Sequence, residues 1–112
     1  MTSTALTDRA EKASEASIRA QLARVLEEAR AGLARMPLLH RRTPAAECDS
    51  VRTLMDAVDA LLTEALQLTD ALRGLRGLSV DGAMCCGAVA VAVNAATDAL
   101  AIVQAQIDSV VA

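Results

Sequence analysis

The chain contains no phenylalanine, tyrosine or tryptophan, yet 54% of it is hydrophobic. Its apolar residues are mostly alanine, leucine and valine. Alanine and leucine lead the helix-propensity scale, whereas aromatic side chains favour pleated, half-buried strands. Two prolines and five glycines provide too few turns for a many-stranded sheet. A chain built this way is expected to be helical throughout. At 112 residues it is long enough for one domain with one core, and it needs no disulfide staples.

The same absence narrows function. Single-stranded nucleic acid and RNA are gripped by stacking bases on aromatic rings, and small-molecule pockets commonly use aromatic walls. The net charge of −3 also repels nucleic acid and anionic membrane weakly. No small-molecule substrate or cofactor is indicated.

Apolar residues recur in steps of three and four, the period of one helix face. The first stripe runs Ile18, Leu22, Val25, Ala29, Leu33 and Met36, with Leu6, Ala10 and Ala13 extending it upstream. Asp8 with Lys12 and Glu15 with Arg19 are spaced as i,i+4 ion pairs. The second stripe runs Cys48, Val51, Met55, Val58, Leu62, Ala65 and Leu72, widened by Leu54, Leu61 and Leu68. Asp56, Asp59, Glu64 and Asp70 fall largely off it. The third runs Cys86, Val89, Val93, Ala96, Leu100, Val103, Ile107 and Val110, a heptad-like pattern.

Stop and start signals delimit these stripes. Pro37 ends the first helix, and Thr43-Pro44 opens the second with a capping hydroxyl and a proline at the first helical position. Gly74 or Gly77, each followed by leucine, suits a left-handed cap on the second helix, and Ser79 or Asp81 can cap the third. The expectation is a single all-α domain over 1–112, with helices at about 5–36, 44–76 and 80–111 and residues 1–4 flexible. Short connectors make this an up-down-up antiparallel bundle of three long helices, associating through the third.

That third helix is unusual. Residues 77–112 hold three aspartates and no basic residue. Opposite its core stripe lies a second one: Met84, Ala88, Val91, Ala95, Asp98, Ile102 and Ala105, ending at Ser109. A helix packed against two neighbours needs only one apolar stripe, and contiguous apolar patches mark interfaces. The second stripe is therefore the expected interface, and closed two-fold dimers are the commonest use of such a face.

Other constellations carry less. Adjacent Cys85 and Cys86 point about 100° apart on a helix, and Cys48 belongs at the other end of the bundle, so a single chain cannot gather the three thiols on one metal. They read as small apolar core residues. His40 stands alone in a connector and has no histidine partner for a metal or di-iron motif. Arg35, His40, Arg41 and Arg42 form the one basic cluster, a possible contact for an anion or acidic partner beside its plainer reading as a solvated loop. No glycine-rich phosphate loop, Gly-x-Ser-x-Gly elbow or carboxylate pair points to catalysis.

The expected function is thus a non-catalytic helical interaction module, a small adaptor, chaperone-like or inhibitor subunit that binds its own copy. The runner-up is a dimeric DNA-binding regulator using the Arg35–Arg42 end. A thiol-based metal or redox sensor is weaker still. With no basic start and apolar run at its beginning, the chain lacks the pattern of a secretory signal. The apolar run Gly82–Val93 is short for a bilayer. Three thiols fit a reducing cytoplasm, and ten arginines against one lysine hint at a GC-rich bacterial or phage genome.

Overall fold

In the computed structural model, which describes the backbone of residues 2–111 and the side chains of residues 14–110, the three stripes become three helices. These are α1 (Thr2–Ala34), α2 (Ala45–Arg73) and α3 (Val80–Val111). Leu22, Val25 and Ala29 of α1 meet Val58, Leu62, Ala65 and Leu72 of α2 and Cys86, Val89, Val93, Ala96 and Leu100 of α3 in one core. Cys48, Val51 and Ile107 are also buried. Every residue of the two seams expected for α2 and α3 is buried or half-buried. Leu6, Ala10, Ala13 and the Asp8–Lys12 pair lie outside the described side chains.

The helix ends differ slightly from those expected, for local reasons. α1 begins at Thr2 rather than near residue 5 and stops at Ala34 rather than 36. Its last turn tightens there, with Arg35 and Met36 amides donating to the carbonyls three residues back. Thr43 does not cap α2. Its hydroxyl accepts the His40 amide at 2.9 Å and closes the connector from inside, where the side chain is buried. Pro44 is itself the cap residue, so the cap falls one position later than expected, and its carbonyl accepts the amides of Glu47 and Cys48. At the other end, Gly74 stays right-handed, and Gly77 takes the left-handed turn at φ 64°. α2 therefore ends at Arg73, and Leu75 and Leu78 fold back against the core.

Two close approaches fix how the helices slide past one another. Gly32 lies where a Cβ would come within 2.7 Å of Val58 Cγ2, so its lack of a side chain lets α1 and α2 touch. At the far end, Glu15 accepts both the Ser79 amide and the Ser79 hydroxyl at 2.9 Å. That hydroxyl in turn accepts the Gly82 amide, so Ser79 caps α3 as expected. Glu15 is thus held by Ser79, and not by the i,i+4 ion pair with Arg19 that its spacing offers. Ion pairs among the described residues are instead Glu27–Arg30 and Asp49–Arg52, each three apart.

Along α1 and α2 residue numbers run in opposite senses, Gly32 meeting Val58 while Glu15 meets the segment just beyond Arg73. A 33-residue helix is on the order of 50 Å long, and the molecule is 69 Å long but only 19 by 17 Å across.

Candidate interaction surface

α3 places its two stripes on opposite sides, because positions three and four apart share a face. Toward the bundle, Val89 is 1% and Ile107 0% exposed. Away from it, Met84, Val91 and Ile102 are 67, 70 and 62% exposed. Ala88, Ala95, Asp98, Ala105 and Ser109 are exposed with them. The structure therefore brings all seven expected interface residues together on one open face, whose single charge is Asp98. No basic side chain occurs on this helix.

One part of the face was not evident from the sequence. Among the three pairs of helices, α1 and α3 touch least. Between them runs a groove of about 280 Å³, lined by Leu26, Ala29, Arg30 and Leu33 of α1 and Ala92, Ala95 and Ala96 of α3, with Leu62 of α2 also reaching it. It exists because α3 offers three alanines where larger side chains would fill the space. Leu26, beside the first seam and seven residues before Leu33 on it, was the signal that α1 carries a wider apolar surface than one stripe.

Taken over its whole length, α3 is also long and apolar enough to cross a membrane: Val80–Val110 reaches a mean hydropathy of 1.8 over its best 18-residue window, with 28% of that window buried. Counting only the uninterrupted run to Val93 understated it, because Asn94 and Asp98 are too few to offset the surrounding alanines, valines and isoleucines.

The basic cluster is divided. Arg35 folds back onto α1, its Nε donating to the Ala31 carbonyl at 3.4 Å. His40 is tied into the connector, its Nδ1 accepting the Arg42 amide at 3.1 Å. Arg41 and Arg42 are exposed. Arg41 borders a cleft of about 290 Å³ with Thr43, Ala45, Cys48, Asp49, Arg52 and Val110. Arg52 is an addition that no pattern along the chain pointed to, but it already pairs with Asp49 at 3.1 Å. The cleft thus carries both signs of charge, and Arg35 and His40 are engaged locally.

The thiols are separated as expected. Cys48 lines that cleft beside Val110, while Cys86 is buried and Cys85 half-buried near the other end of α3. Cys86 and Val110 are 24 positions apart, on the order of 36 Å of helix. Among the described residues, no three His, Cys, Asp or Glu side chains come together as metal ligands. No protein-family model, no curated protein and no solved structure matches this chain.

Proposed function

We propose that this chain is a non-catalytic helical interaction module, a small adaptor, chaperone-like or inhibitor subunit, that associates with its own copy through the outer face of α3. The observation that carries the reading is the exposure of Met84, Val91 and Ile102 on one nearly uncharged stripe, opposite a stripe that is already buried. Full burial of such a side chain is worth roughly 1.5–3 kcal/mol, and a helix that only closes a three-helix core gains nothing from a second apolar face.

A bilayer could cover the same face, and the length of α3 admits it. Energetics favour a protein partner. The inner stripe of α3 is packed against α1 and α2, so spanning a membrane would either strip it from the core or carry exposed Glu27, Glu28, Asp56, Asp59 and Glu64 into hydrocarbon. Charges there cost at least about 2.5 kcal/mol each at the bilayer centre. The reading keeps the protein in a reducing cytoplasm, where its three thiols stay free.

Sedimentation velocity at micromolar concentration without lipid, beside flotation with phosphatidylcholine–phosphatidylglycerol vesicles, tests the reading. A dimer that does not float supports it. A monomer that floats would assign the face to a membrane instead.

A further inference from the structure

We infer that the second copy is held by the groove between α1 and α3 as well as by the outer stripe of α3, so that α1 and α3 of both copies form a four-helix core with each α2 on the outside. This deepens the self-association reading and rests on it.

The outer stripe of α3 is not centred directly opposite the buried one. Val89 and Ile107 lie about five full turns apart and point the same way into the core. Measured from them at about 100° per residue, Ala92 lies about 60° round and Ala95 about 120°. Met84 and Ile102 follow at about 140° and Val91 at about 160°, all in the same sense. Ala92 and Ala95 line the groove with α1, so this is the α1 side. In the other sense Gln104, Thr97, Ala101 and Asn94 stand at about 60°, 80°, 120° and 140°. Of these, Gln104, Thr97 and Ala101 border a cleft shared with Asp56 and Asp59 of α2. Asp98, at about 180°, divides the two sides. The apolar arc of α3 therefore turns toward α1 and its polar arc toward α2. It runs on into the groove of about 280 Å³, where half-buried Leu26 and Leu33 of α1 continue it.

A second copy suits this face for two reasons. A two-fold interface presents one patch twice, so the patch must complement itself. This one carries projecting Met84, Val91 and Ile102 beside a groove walled by alanine and leucine. Each copy can seat its stripe in the other's groove, whichever way the helices run. The second reason is size. A stable interface takes roughly 800 Å² from each partner, on the order of 20 residues a side, and the stripe of one helix falls short of that. Widening it over α2 would bury Asp56 and Asp59 without partners. Widening it over α1 adds Leu26 and Leu33, and exposed Arg30 can keep its guanidinium in water at the rim.

Thiol protection tests the groove's part. Ala92→Cys and Arg30→Cys mark the α1 side, and Ala101→Cys marks the α2 side. Each reduced full-length variant is alkylated at concentrations where sedimentation shows dimer and again after dilution to monomer, with mass spectrometry reading its own peptide. Dimerisation should slow alkylation about tenfold at Ala92→Cys, about threefold at the rim position Arg30→Cys, and not at Ala101→Cys. Filling the groove with Ala92→Leu should weaken dimerisation about tenfold, with an undiminished helical signal. A dimer that leaves Ala92→Cys unprotected, that protects Ala101→Cys as strongly, or that forms as tightly in Ala92→Leu as in wild type would overturn the groove's part while leaving self-association intact. A wild type that is monomeric at micromolar concentration would overturn both.

Discussion

α2 and α3 are two helices of similar length in one bundle, and each buries one face. They differ in what they show to solvent. Outside its buried seam, α2 exposes Asp56, Asp59, Glu64 and Asp70, a solvated face of the usual kind. In the same place α3 exposes Met84, Val91 and Ile102. Since the inner stripe of α3 already lies in the core, its outer face is not explained by folding. Stability and association should therefore be separable, with α2 and the inner side of α3 carrying the first and the outer side of α3 the second.

The largest effects are expected on the inner side. Leu62 is 4% and Leu100 9% exposed, so Leu62→Ala and Leu100→Ala should each cost about 2–5 kcal/mol in chemical denaturation. Leu100, nearer the surface, belongs at the lower end. An unchanged midpoint for either would mean that its helix contributes little to the core.

Two glycines sharpen the same contrast. Alanine is the better helix former by about 1 kcal/mol, but at Gly32 its Cβ would press on Val58, a buried β-branched side chain with little freedom to move. Gly32→Ala is expected to be destabilising by about 1–2 kcal/mol once overpacking is set against propensity. Around Gly87 on α3 nothing lies within 4 Å, so Gly87→Ala should stabilise by about 0.5–1 kcal/mol. Equal and opposite signs in a thermal melt would support the close approach of α1 and α2. Stabilisation at both sites would contradict it.

The thiols should report the same inside and outside. Cys48→Ser and Cys86→Ser should lower stability by about 1 kcal/mol each, since a hydroxyl replaces a buried apolar contact, and Cys85→Ser by less. In native labelling Cys85 should react first. Faster reaction at Cys86 would reverse the register assigned to α3.

The smallest expected effect is at Glu15. The Ser79 backbone amide, then the Ser79 hydroxyl, hold its carboxyl below the ordinary value of 4.5, helped by Arg19 and opposed by partial burial. A lowered folded-state pKa means that the bonded carboxylate stabilises the fold above the ordinary value, and that this contribution fades as pH falls through the lower, folded one. Wild type should therefore lose slightly more stability than Glu15→Gln on acidification from neutral pH to below 4.5. Parallel pH curves for the two would show that the contact does not contribute in solution.

How much of this was legible in the sequence depends on distance along the chain. The seams were legible because steps of three and four report the helix face directly, and the exposed stripe of α3 followed from the same count. Thr69 escaped it: a polar residue in the gap between Ala65 and Leu72, it is buried because its hydroxyl donates to the Ala65 carbonyl at 2.8 Å. Thr43 was misassigned because a threonine before proline suits a helix cap and a closed connector equally well, and only the fold of residues 40–43 distinguishes them. The Glu15–Ser79 contact joins positions 64 apart, beyond any local pattern. Most of the candidate surface was visible, but the groove beside it was not, because Arg30 and Ala92 come together only once α1 flanks α3.

The separation of stability from association is tested most directly by light scattering on three proteins, read beside their circular dichroism: wild type, Ala95→Glu and Ile102→Lys. Both substitutions fall on exposed positions of α3, and a charge buried in an interface without a partner costs several kcal/mol. The account predicts a wild type with the mass of a dimer at micromolar concentration, and two variants with the mass of a monomer and an undiminished helical signal. A monomeric wild type, or variants that lose their helix as they lose their mass, would contradict it.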